Sequence, residues 1–294
     1  MKQVPTHLIR CLAPILAIML LLTATSRLQA NPEIPGAQPK TPVALVGATI
    51  HPISGPALQN GTLLFNKGRI TKIGKGIPIP AGSQVINLKG KHIYPALFDS
   101  MTNTGLVEVK AVRASVDEAE TGTINPNVKA QVAVNPDSEL IPVTRSNGIL
   151  LTLTAPSGGT IAGQAAVIQL DGWTWEDMTL QASAGMIIKW PNMAAVADWW
   201  VEKSAKQQIE DRDKTLKNLR KTFTDAEAYR RARKANVKDQ AYDARWEAMI
   251  PVLAGKVPII VHANEIQQIQ AAVAFASEHK LKMILFGGYD APRC

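Results

Sequence analysis

Lys91-His92-Ile93-Tyr94-Pro95-Ala96-Leu97-Phe98-Asp99-Ser100-Met101-Thr102-Asn103-Thr104-Gly105-Leu106 is the stretch on which the fold reading turns. A short apolar run ends in the carboxylate of Asp99, and small polar residues follow. That is the pattern of a buried strand that delivers polar groups to its C-terminal end, where barrel enzymes keep their chemistry.

The chain on either side has the matching organisation. Upstream, Val43–Ile50, Gly61–Phe65, Ile70–Gly74 and Gln84–Leu88 are short β-prone runs. Turn signals at Ser54-Gly55-Pro56 and Asn66-Lys67-Gly68 separate them, which predicts a small β-sandwich. Downstream, Gly148–Thr154 is a strand, with Ala155-Pro156-Ser157-Gly158-Gly159-Thr160 as its loop. Gln164–Leu170 extends this β layer, and Met186–Trp190 is another short strand. Between them, residues 107–145 are polar and read as a long excursion; such loops are functional or disordered. Residues 197–235 predict a charged helix or helix pair, with Ile209, Leu216, Leu219 and Phe223 as an apolar stripe and a break near Thr224-Asp225-Ala226-Glu227. The tail is β-α-β: Val257–Val261, a helix opened by Asn264-Glu265, then Lys282–Phe286.

The amino terminus has its own logic. Lys2 and Arg10 precede the apolar run Leu12–Thr23, and Leu28-Gln29-Ala30 offers small residues for cleavage. This is the layout of a secretory signal peptide over residues 1–30, too short for a spanning helix, and it implies a periplasmic or extracellular protein without a stable membrane anchor. Cleavage removes three cations (Lys2, Arg10, Arg27) and no anion from a net charge of +8, so the basic balance reads as solubility, not nucleic-acid affinity. Of two cysteines, Cys11 lies in that segment and Cys294 ends the chain, which leaves no internal disulfide. Residues 31–42, with four prolines, read as an extended linker. The expected plan is α/β: residues 43–92 a β-sandwich and residues 93–294 an incomplete (β/α)8 barrel.

The first barrel strand resembles the signature of the amidohydrolase superfamily, which typically runs Pro-Gly-Leu-Ile-Asp-x-His-x-His. Pro95, Leu97, Phe98 and Asp99 match it. Met101 and Asn103 stand where the two histidines belong, and neither replaces an imidazole for a divalent ion. Val261-His262-Ala263-Asn264 resembles the superfamily's metal-binding histidine of a later strand. The nearest resemblance is to exported, imidazolonepropionase-like metal-dependent hydrolases. It implies hydrolysis of a carbon–nitrogen bond other than a peptide bond in a small-molecule substrate, by a metal-activated water.

His262 is then the candidate ligand of one divalent ion, zinc by preference; a strand-end histidine bonded to a neighbouring carbonyl is its bland alternative. Asp99 is a candidate catalytic residue by resemblance and otherwise a cap of the following turn. Asp290, after Gly287-Gly288, is placed to ligate or to orient a ligand. The two glycine pairs, 158–159 and 287–288, suggest close backbone approach to a small ligand. His51, His92 and His279 are assigned no role in the site. The superfamily's last-strand aspartate has no counterpart before Cys294, and a full barrel takes about 250 residues, so a truncated reading frame is expected. A catalytically silent binding or assembly module is the alternative function. Related enzymes commonly associate, which implies a homo-oligomer.

Overall fold

The computed structural model describes residues 34–294, so the expected signal peptide, its cleavage point and Cys11 lie outside the described residues. Pro35–Cys294 form one compact unit built on two sheets.

The first sheet has five strands: β1 (Val43–Ile50), β2 (Leu58–Asn66), β3 (Arg69–Gly74), β4 (Gln84–Asn87) and β5 (His92–Ile93). β1 is central, antiparallel to β2 and parallel to β4 and β5. Ala48, Ile50 and Leu63 form its small core, with Leu45, Leu58, Phe65, Leu88 and Ile93 packed around them.

The second sheet has six strands in the order β11-β10-β9-β8-β7-β6. They are β6 (Leu97–Thr102), β7 (Ile149–Thr154), β8 (Ile161–Gln169), β9 (Thr179–Lys189), β10 (Ile259–Ala263) and β11 (Met283–Gly287). β6 and β7 are parallel, as are β9, β10 and β11, and β8 runs against both its neighbours. Five strands therefore end at one rim, and β8 begins there. This is a curled half-barrel behind a smaller β domain.

Backbone donors set the strand limits. Pro258 has no N–H to give, so β10 begins at Ile259, whose N–H reaches the carbonyl of Lys282. The strand continues through His262 to Ala263, two residues beyond the expected end. β6 likewise starts after Pro95, with the Leu97 N–H on the Gly148 carbonyl. β9 is longer than the Met186–Trp190 run suggests, because its first half pairs with β8 without a continuous apolar pattern.

The three longer helices cover one face of β9–β11. α1 (Leu140–Ser146) and α2 (Trp175–Met178) are short. α3 (Ala205–Lys234), α4 (Ala244–Leu253) and α5 (Ile266–Glu278) carry the main core with the strands. Period-two alternation sends Met186, Ile188, Ile259 and Val261 outward onto Leu219, Phe223, Met249, Ala272 and Phe275. Edge-to-face contacts of Phe275 with Trp190 (5.6 Å) and Phe223 (5.0 Å) lock the centre.

α3 corrects one expectation. It runs unbroken through Thr224–Glu227. The Thr224 hydroxyl donates to the Arg220 carbonyl one turn back, Asp225 pairs with Lys221, and Glu227 pairs with Arg230. The polar groups that suggested a recap are spent on i−4 and i+3 partners within the helix. Its real start is a capping box, Ser204 with Gln207.

The excursion after β6 is ordered by burial. Leu106, Val107, Ala130, Val134 and Ile141 pack on Ile168, Leu170 and Met178. The Asn125 N–H and the Ile161 N–H tie it to the start of β8 through the Ile161 and Thr123 carbonyls.

Candidate functional site at the strand rim

The opposite parity of the same strands faces inward. Ile187 on β9 and Ile260 on β10 join Ala155, Ala162 and Ala165 in the floor of the half-barrel, with Met101 and Phe286 packed against them. Two residues further along each strand come Lys189 and His262, which are register partners. Parallel neighbours lie roughly 4.8 Å apart in the sheet, so these two side chains leave the rim side by side.

A cavity of about 580 Å³ opens there. Its lining brings together Met101 from β6, Asn103 just after that strand, Ser157 and Gly158 from the β7–β8 loop, Lys189 and His262. Lys110 and Glu118 enter from the excursion. The rim is thus shared by the first strand and the histidine strand.

The residues on the β6 side are committed to local contacts. β6 is bulged: Asp99 pairs with Thr152 but Thr102 with Thr154, three steps against two. The bulge breaks the alternation, and Met101, Thr102 and Asn103 all reach the cavity. Met101 contributes its thioether chain to the apolar floor. The Asn103 amide donates to Glu118 Oε2 at 2.9 Å. Asp99 lies deeper, half-buried, and its Oδ1 accepts the Met101 N–H at 3.4 Å; it is not part of the cavity lining.

His262 stands differently. Its ring meets Phe286 edge-on at 5.1 Å between centroids, and its carbonyl accepts the Trp190 N–H. Neither ring nitrogen has a hydrogen-bond partner among the described residues.

Asp290 is placed elsewhere. Its Oδ2 accepts the N–H of Ile266, in the first turn of α5, at 3.2 Å, and its Oδ1 pairs with Arg293. The carboxylate serves the positive end of a helix, away from the cavity lining. The Gly287-Gly288 pair has a local cause too. Gly287 has φ +87°, and a Cβ there would collide with the Asn264 side chain. The close approach expected at this pair is to the chain itself.

Lys189, Lys110 and Glu118 are lining residues that the sequence reading did not single out. Lys189 carried a signal, being the one charge in an otherwise apolar strand run. Lys110 and Glu118 lie in a stretch without periodicity, and their approach depends on the packing of the excursion.

The donor set does not fit a divalent metal held by this chain's described residues. Among them no three His, Cys, Asp or Glu side chains gather into a ligand group. His262 is the cavity's single imidazole, Glu118 is engaged by Asn103, and two ammonium groups in the same lining oppose a dication.

No protein-family model matches the chain, and no curated protein does. Solved structures do. An amidohydrolase from Thermotoga maritima MSB8 superposes with a TM-score of 0.72 at 22% identity, over 85% of this chain and 66% of that one. A prolidase complexed with N-methylphosphonate-L-proline gives a TM-score of 0.37 at 12% identity, over 83% and 65%. An uncharacterized protein gives 0.38 at 14%, over 80% and 59%. The last two superpose too loosely to bear on the fold. The chain spans just under two thirds of the first structure's length, and at that identity the likeness establishes one thing: the fold is that of the Thermotoga amidohydrolase.

Proposed function

We propose that this chain is a hydrolase of the amidohydrolase superfamily that acts on a small molecule in the rim cavity, at a carbon–nitrogen bond other than a peptide bond. The fold likeness to an amidohydrolase supports it. The observation that carries it is His262, an imidazole without a hydrogen-bond partner among the described residues, at the strand ends where barrel enzymes react and beside Lys189.

A divalent metal in such a fold supplies a nucleophilic water at neutral pH. The residues here do not assemble its ligands, so the chemistry is assigned to the chain's own groups. His262 acts as the general base that takes the proton from water and then passes it to the departing nitrogen as the carbon–nitrogen bond breaks. Lys189 steadies the negative charge that develops on the attacked carbonyl oxygen. The Asn103–Glu118 pair offers an acceptor edge that orients the substrate. Asp99 supports the bulge through the Met101 N–H.

The test is hydrolysis of a panel of cyclic and acyl amides by the metal-analysed protein. Turnover that falls at least 100-fold in His262→Ala, with unchanged metal content, supports the assignment. A stoichiometric divalent ion that leaves with His262 would instead restore the metal-activated water.

A second reading, a catalytically silent binding module, is favoured by Met101 and Asn103, which spend the first strand's rim on packing and an amide contact. Failure of every amide in the panel would select it. Both readings include export, with residues 1–30 as the signal peptide. N-terminal sequencing of the protein recovered from the periplasm or medium checks that part.

A further inference from the structure

The β7–β8 loop, Ala155–Thr160, is held at both ends and leaves its middle unpaired. The Ser157 N–H donates to the Glu118 carbonyl at 2.6 Å and the Thr160 N–H to the Thr123 carbonyl at 2.8 Å. The Thr160 carbonyl accepts the Lys189 N–H at 2.9 Å, which ties the loop to the rim lysine's own backbone. Between these anchors, the Ser157 hydroxyl and the Gly158 and Gly159 N–H groups have no acceptor among the described residues. Gly158 and Gly159 have φ +84° and +65°, and added Cβ atoms would meet Ala119 at 3.0 Å and the Thr123 carbonyl at 2.9 Å. The glycines let the loop pass close under the excursion with those donors still free.

Two ammonium groups beside this loop also have no ion-pair partner among the described residues. Lys189 and Lys110 both line the rim cavity, and neither forms an ion pair with a described residue. Lys189 borders a second cavity of about 360 Å³ as well, together with Gly159 and Thr160, so the loop and this lysine separate the two spaces. Glu118 is the one carboxylate in the rim lining, and Asn103 holds it. The rim therefore concentrates donors and cations that have no acceptor among the described residues.

We propose that the rim cavity takes a small anion, its carboxylate or phosphate oxygens held by Lys189, Lys110, the Ser157 hydroxyl and the Gly158 N–H. The inference rests on the cavity assigned above and names the class of molecule it takes. Two ammonium groups supply the attraction, the hydroxyl and amide supply direction, and Glu118 with Asn103 faces the uncharged or cationic remainder of the ligand. The Gly158 amide works here as such donors do in anion-binding backbone concavities.

The experiment is calorimetric titration of the full chain with succinate and, separately, inorganic phosphate, with sodium chloride adjusting ionic strength to a constant value. The expected result is saturable binding of at least one of the two, and which one binds tells planar from tetrahedral anions. Lys189→Met is expected to weaken that binding about tenfold and Ser157→Ala by a smaller factor, while Lys217→Met, on the exposed face of α3, leaves it unchanged. Melting temperatures of the variants establish that each is folded, and Lys110→Met replaces Lys189→Met if the latter is not. Absence of saturable binding for both anions overturns the inference, as does equal loss in Lys217→Met or no loss in the folded rim-lysine variant. Binding is read without turnover. Anion binding by a protein that hydrolyses no amide removes the hydrolase reading alone, and turnover of neutral amides without anion binding removes this inference alone.

Discussion

The two flanks of the half-barrel reach the same cavity by different routes. On the β9–β11 flank, β9 and β10 have one face on helices α3–α5 and the other on the barrel floor, β11 closes the edge with Ile284 exposed, and the aromatic contacts of Phe223, Phe275 and Trp190 fix the layer. That flank presents Lys189 and His262, whose polar ends have no partner among the described residues. On the β6–β7 flank the cover is the irregular excursion, the strand is bulged, and Leu97 and Phe98 stay exposed at 61% and 46%. Its rim residues, Met101 and Asn103, are absorbed into packing and an amide–carboxylate contact. The comparison teaches that a barrel can keep the architecture of a reaction site while half of its rim is given over to structure.

The largest difference between the flanks is expected in stability. Phe275→Ala removes a buried ring that touches three others, Trp190, Phe223 and His279, and should cost about 3–5 kcal/mol in denaturant unfolding. Met101→Ala, half-buried on the other flank, should cost about 1–2 kcal/mol, at or below the low end for Met truncation. Equal losses would show that the β6 flank is packed as tightly as the helical one.

A smaller effect separates the flanks by pH. His279 packs its ring against Phe275 (4.5 Å) and Phe223 (5.4 Å) at the end of α5. Burial lowers its pKa below the ordinary histidine value near 6.5, Glu278 pulls it upward, and Arg220 adds a further lowering push. The unfolded chain then binds the proton more readily than the folded one. The favourable contribution of the neutral ring is present above pH 6.5 and is lost as pH falls through the lowered folded value. Stability measured from pH 8 to pH 5 should decline, and His279→Gln should flatten part of that decline. An unchanged slope would remove His279 from the helical core's pH response.

Much of this was legible in the chain. Period-two alternation and continuous apolar runs marked the strands, and the β-α-β tail gave the parallel direction that places His262 at a rim. The Pro95–Asp99 run marked the opposing strand. What was hidden follows from tertiary contact. The bulge at β6 depends on pairing with β7, so the sequence could not show that three successive residues share the cavity. Asp290 carries the same polar group whether it meets a ligand or a helix end, and only the Ile266 N–H decides between them. Lys110 and Glu118 arrive on a segment whose path is set by burying Leu106, Val107 and Ile141. In α3 the charged residues of the apparent recap satisfied one another along the helix, an arrangement that local sequence shares with a true start.

The β6 rim and His262 converge on one cavity. Installing the two missing imidazoles tests it most directly. If Met101, Asn103 and His262 face one space, the double variant Met101→His/Asn103→His brings three imidazoles together, a set that binds zinc. Metal analysis after dialysis should then find about one zinc ion per chain in the double variant, and none when His262→Ala is added. A double variant that folds but retains no zinc, or retains it without His262, would contradict the shared cavity.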